Sequence, residues 1–116
     1  IDRLRMVDGE PVAKELVYVP VSYLADIKGE DLKGSLFSLL EERNHTIAYS
    51  ESSIQAVMIN DSLKKLFNVK TDVPLLKTVS IVMEKENRVL FYEESIYRSD
   101  KYVLQVNIMR KEGRIK

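Results

Sequence analysis

The chain has 116 residues, 45% of them hydrophobic and 31% charged, enough for one compact domain with its own core and too few for two. Eighteen basic and eighteen acidic residues give a formal charge of zero, which argues against a free-standing nucleic-acid binder, since such proteins use a basic excess to neutralise phosphates. With no cysteine the chain has neither disulfides nor thiolate metal sites, and no apolar run approaches the ~20 residues of a membrane span. The expected setting is soluble and cytoplasmic, away from membranes, with no cofactor.

In chain order, residues 1–8 alternate, with Leu4 and Met6 on one side and Arg3, Arg5 and Val7 on the other. Asp8-Gly9 predicts a tight hairpin turn, because Gly readily takes positive φ, and residues 11–19 return as a second strand with Pro11 at its start. After a connecting segment, Ser35 is an N-cap candidate for a short helix over 36–43, in which Leu36, Leu39 and Leu40 form an i, i+3, i+4 stripe and Phe37 lies off it. Asn44 is expected to end that helix in a left-handed conformation.

Residues 45–59 read as a long strand, and Asn60 or Asp61 caps a second short helix carrying Leu63, Leu66 and Phe67, closed by Asn68. Residues 75–84 and 88–98 form another hairpin around Glu86-Asn87, and a last strand is expected over 102–109. Six strands, hairpin-dominated, with two or three short helices predict an α+β domain: a mostly antiparallel six-stranded sheet with helices on one face.

Residue chemistry gives little support to an enzyme. A nucleophilic triad needs a base, and the single histidine, His45, sits in the polar turn RNHT, where a surface role is the simplest account. It has no companion ligands at metal spacing, and there is no Gly-rich phosphate loop. Glu41-Glu42 and Glu93-Glu94 are adjacent pairs; on a strand, neighbours point to opposite faces, so Glu93 and Glu94 do not act together.

Arg3 and Arg5 are more informative. Their i, i+2 spacing puts both guanidinium groups on one side of a strand, with Glu15 on the same side across the hairpin if the register allows. One reading is an exposed cross-strand ion pair worth ~0.5 kcal/mol. The other is an anion pocket, since the planar guanidinium fork suits phosphate or carboxylate, and the backbone amides after Gly34-Ser35 offer further donors.

Four blocks in order, RLRMVDGEPVAKELVYVP, LKGSLFSLLEE, LFNVKTDVPLL and ESIYRSDKY, resemble the UTRA domain of the HutC subfamily of GntR-type bacterial transcription regulators, from Arg3 to about Asn107. The resemblance implies a chorismate-lyase-like fold for residues 1–116, a homodimer, and an N-terminal winged helix-turn-helix domain, absent from this chain, that contacts operator DNA. An opening without methionine is expected of such a fragment. The implied effector is a small anionic metabolite such as a sugar phosphate.

By position, Arg3, Arg5 and Ser35 would contact its anionic group, Glu15 would accept hydrogen bonds from it or hold an arginine, Phe37 would face it, and Tyr97 would donate a phenolic hydrogen bond. Family members that bind sugar phosphates often carry a carboxylate where this chain has Phe91, which makes that wall more apolar; Glu93, two residues on, is a candidate substitute. Ser99 replaces a common Gly. The alternatives are an enzyme of the chorismate-lyase type and a dimerisation module with a vestigial pocket.

Overall fold

A computed structural model describes residues 1–105. Strand β1 (Asp2–Val7) turns through Asp8 and Gly9, at φ 49° and 77°, into β2 (Glu10–Tyr18). Two positive φ values in succession match the twist of a tight hairpin, which is why the Asp-Gly pair was legible. Two short 3₁₀ turns, Val21–Leu24 and Gly29–Lys33, lead to helix α1 (Leu36–Glu42). Ser35 caps it, its Oγ accepting from the Ser38 N–H at 3.3 Å, and Asn44 follows at φ 67°.

Strand β3 (Tyr49–Met58) is followed by helix α2 (Asp61–Phe67), which is capped by the Asn60 side chain and ended by Asn68 in the left-handed region. β4 (Pro74–Glu84) and β5 (Arg88–Arg98) then form the second hairpin, with Glu86 and Asn87 both at positive φ. Among the described residues no helix is long and apolar enough to cross a membrane.

The five strands make one antiparallel sheet in the order β1-β2-β5-β4-β3. The sheet therefore has five strands among the described residues where six were expected. Of the span 102–109, residues 102–105 are irregular and the remainder lies outside the described residues. β3 begins later than expected because residues 45–48 serve the preceding helix end: the His45 N–H donates to the Leu40 carbonyl, and only at Ala48 does the backbone join the sheet, donating to Met83.

Neither Leu4 nor Met6 reaches the core, despite the alternation. β1 is an edge strand, and its register slips after Arg5, so that Arg5 faces Ala13 while Met6 faces Pro11; Leu4, Met6 and Val7 all stay exposed. The core lies instead where α1 meets the sheet. Leu36 and Leu40 of its stripe pack with Val17, Val82, Leu90 and Phe91.

Directly opposed residues of an antiparallel ladder share a face. The register thus lays three rows across one side of the sheet: Arg3, Glu15, Ser95 and Thr78; Arg5, Ala13, Tyr97 and Leu76; and Val17, Glu93 and Ser80.

Candidate functional site

The end of that face nearest α1 carries a hollow of about 880 Å³. Its floor is β1, β2 and β5, through Arg3, Arg5, Glu15, Val17, Phe91 and Glu93, and its wall is the chain from Gly29 to Phe37. The sequence places these charges side by side for a simple reason: i, i+2 spacing on each strand and the Arg3–Glu15 register stack them on one face.

Glu15 is the hub. It is only 6% exposed, and its carboxylate takes the Arg5 Nε–H on Oε1 at 3.0 Å and faces Arg3 Nη2 from Oε2 at 3.7 Å. A buried carboxylate needs such partners, since leaving it ionised and alone would cost several kcal/mol. Glu15 in turn holds the Arg5 guanidinium charged, by its hydrogen bond first and by its charge second.

The two arginines differ in how much of the fork is free. Arg3 donates from Nη1 to the carbonyls of Leu32 (3.3 Å) and Gly34 (3.1 Å), fastening the wall to the floor. Its Nε is buried and has no hydrogen-bond partner among the described residues. Arg5 is about half exposed, and among the described residues no hydrogen bond engages its Nη1 or Nη2. Arg5 is the available fork and Arg3 the structural one.

Phe91 is a core side chain that also floors the hollow, and Phe37, 45% exposed, leans over it with ring centroids 5.6 Å apart. The anionic and apolar requirements of a ligand thus meet different walls. Ser35 lines the hollow while its Oγ serves as the helix cap. Since α1 has only seven residues, its start supplies amide donors and little dipole.

Six of the seven expected residues, Arg3, Arg5, Glu15, Ser35, Phe37 and Phe91, therefore line one hollow. Tyr97 does not. It lies on the same sheet face, in the row of Arg5, but its ring is stacked on Tyr102 at 4.8 Å, and burial raises its phenol above the ordinary value.

Glu93 does line the hollow. It accepts from Ser95 Oγ at 2.8 Å, and burial first, then the nearby Glu15 charge, raise its carboxyl above the ordinary 4.5 against the opposing Ser95 hydrogen bond and Arg3 charge. Strand alternation from Phe91 was the signal for it. No comparable signal existed for the Leu32 and Gly34 carbonyls, whose role depends on a tertiary contact.

His45 departs from the surface role expected of it: its ring is largely buried, Nδ1 meets Glu84, and Tyr23 packs on it at 4.2 Å. It lies outside the hollow. Among the described residues no group of three or more acidic, histidine or cysteine side chains has the arrangement of a metal site.

The UTRA domain family model matches residues 1–103. The mannosyl-D-glycerate transport/metabolism system repressor MngR of Escherichia coli is 25% identical over 115 residues, 98% of this chain and 48% of that protein, so the chain spans about half the length of this curated relative. A GntR-family transcriptional regulator from Enterococcus faecalis superposes with a TM-score of 0.81 at 18% identity, over 92% of this chain and 78% of that one. The ligand-binding domain of a candidate GntR-family regulator from Bordetella bronchiseptica gives 0.80 at 20% identity, over 93% and 72%. At such identities the superpositions show a common fold, while the family match covers nearly the whole described chain: the protein belongs to the UTRA domain family.

Proposed function

We propose that this chain is the effector-sensing domain of a GntR-type transcription regulator of the HutC subfamily, and that the hollow beside Arg5 receives a small metabolite bearing a phosphate or carboxylate. The observation that carries this reading is the half-free guanidinium of Arg5, held by Glu15 at the edge of a hollow large enough for a sugar-sized ligand. Its fork suits a bidentate oxyanion, and each such charge-assisted hydrogen bond contributes about 1.5–3 kcal/mol. Phe37 and Phe91 favour a ligand with an apolar face. The name of the Escherichia coli relative, a repressor of a system for mannosyl-D-glycerate, whose glycerate carries a carboxylate, agrees with an anionic effector.

In the full-length regulator, effector binding would favour one arrangement of the sensor pair and so shift the operator affinity of N-terminal winged helix-turn-helix domains in the cytoplasm. A homodimer is part of this reading. Its support is β3, a ten-residue edge strand of which nine residues are exposed, with Ile54 and Met58 among them. Long exposed edges of this kind invite pairing with another chain.

The test is a thermal-shift screen with sugar phosphates, glycosides of hydroxy acids and plain neutral sugars. A ligand at about a hundred times its Kd adds roughly 2.7 kcal/mol and raises the melt by several degrees. Anionic ligands should stabilise the chain and their neutral counterparts should not. Stabilisation by neutral sugars alone would remove the anion from the proposal.

A further inference from the structure

The hollow contains its own negative charge. Arg3, Arg5, Lys33 and the Ile1 ammonium line it on the positive side, and Asp2, Glu15 and Glu93 on the negative, so three carboxylates already stand there before any ligand arrives. An incoming anion therefore meets two buried or half-buried carboxylates, and it competes with one of them for Arg5.

We propose that oxyanion binding at Arg5 is coupled to uptake of one proton, held between Glu15 and Glu93. This inference rests on the proposed anion site and adds its regulation by pH.

Glu15 stands opposite Ser95 and Glu93 opposite Val17, so the two carboxylates are diagonal neighbours across the β2–β5 ladder, within reach of one another. Glu15 is nearly fully buried; among the described residues its cationic partners are Arg5 at 3.0 Å and Arg3 at 3.7 Å, and Arg3 is also engaged by two carbonyls.

The other groups facing Glu93 can be named element by element. Ser95 and Tyr97 come from its own strand, with Ser95 donating to it. Arg3 comes from β1, Glu15 from β2 and Ser80 from β4. Lys33, Asp2 and the Ile1 ammonium, which donates to the Val17 carbonyl, also line the hollow. The single histidine, paired with Glu84, is not among them.

When an oxyanion takes the Nη1 and Nη2 end of Arg5, it draws on the same positive charge that balances Glu15 through Nε, and the Arg5–Glu15 bond weakens. Two neighbouring carboxylates with an added anion beside them cannot all stay ionised, and a proton shared between the pair removes one charge while adding a hydrogen bond. The proton comes from solvent and attaches to a carboxylate oxygen; nothing else is gained or lost. Burial and the Glu15 charge already favour that proton on Glu93. By linkage, acid must then tighten anion binding as much as anion binding raises proton affinity.

Sulfate, a dianion throughout the range, is the probe, with ionic strength held constant by chloride. Its Kd is read from the Arg5 side-chain N–H resonance of the 116-residue chain between pH 5.5 and 8, with melts confirming that each variant is folded. The wild-type Kd should rise with pH, approaching about tenfold per unit at its steepest, as expected for one linked proton. Glu93→Gln carries a permanent N–H donor toward Glu15 and should bind sulfate with a Kd constant within about twofold over the same range.

Sulfate binding with a flat wild-type profile would overturn the coupling and leave the anion site standing. So would an undiminished slope in Glu93→Gln. Failure of sulfate to perturb Arg5 at any pH would overturn the anion site itself, and the coupling with it.

Discussion

Arg5 and Glu15 form a lopsided ion pair: the Nε–H donates to Oε1 over 3.0 Å, yet the Arg5 side chain is 53% exposed and that of Glu15 only 8%. The carboxylate is fixed and the guanidinium is available. Because Arg5 is half in solvent, the pair is partly screened. Arg5→Ala should cost about 1–2 kcal/mol in a urea melt, more than an exposed pair because the buried Glu15 loses its nearer partner and keeps Arg3 at 3.7 Å. The same variant should lose the thermal shift given by any oxyanion ligand. Retention of that shift would move the anion site off β1.

Arg3 should behave differently although it is the neighbouring cation of the same motif. Removing it unties the Leu32 and Gly34 carbonyls from the sheet and takes one of the positive partners from a buried carboxylate. Arg3→Ala should therefore lower stability by about 2–4 kcal/mol, seen as a melting temperature lower by roughly 10 °C. A loss no greater than that of Arg5→Ala would show that the tie between wall and floor is unimportant.

What was legible in the sequence is local chemistry. Asp8-Gly9 and Glu86-Asn87 announce their turns through positive φ, and Ser35, Asn60 and Asn68 announce helix ends through side-chain or left-handed caps. Those features need only a few adjacent residues. Strand order was not legible, and it is what sets β5 between β2 and β4 and so brings Glu93 and Ser95 beside Glu15.

The motif that carried Tyr97 into the expected site gave its strand position, but not the Tyr102 ring that covers it. The sequence alternation also could not register the slip after Arg5, because a bulge depends on the partner strand. Of the site, then, the residue types came from the sequence and the division of labour between Arg3 and Arg5 from tertiary contacts.

Glu93 has a further consequence for the ligand-free protein. Its carboxyl is raised, by burial before all else, so the folded chain binds this proton more tightly than the unfolded chain does. Stability from this group is fullest below the ordinary carboxylate value and falls as pH rises through the raised one. Asp100, lowered by its Arg98 hydrogen bonds, acts in the opposite sense, but it is common to wild type and variant. The difference in unfolding free energy between Glu93→Gln and wild type should thus be near zero at roughly pH 4 and favour the variant at roughly pH 8. A difference that does not change with pH would mean that Glu93 is not raised.

The exposed edge of β3 gives a prediction about assembly. If two copies pair there, a charge at Ile54 or Met58 should split the dimer while leaving the single chain folded, because both side chains are exposed within it. Light scattering across a dilution series should show Ile54→Lys as a monomer at concentrations where wild type is a dimer. A variant that remains dimeric would direct attention to another face.

Phe37 and Phe91 touch each other yet should separate cleanly under mutation. Phe91 is 1% exposed and is surrounded by Val17, Leu36, Leu40, Val82 and Leu90, so truncation opens a cavity in the core. Phe91→Ala should cost about 3–5 kcal/mol, enough to threaten folding at this size. Phe37 lies off the buried stripe of α1 and is 45% exposed, so its truncation removes one tilted ring contact and little buried area. Phe37→Ala should cost about 1 kcal/mol in stability. Its effect should fall on ligands with an apolar face, which lose a wall of the hollow, and not on sulfate, which has no such face. Comparing the two ligands in that variant separates the apolar wall from the anion contact: an equal loss of affinity for both would mean that Phe37 shapes the whole hollow, whereas a loss confined to the organic ligand gives the aromatic pair a recognition role of its own.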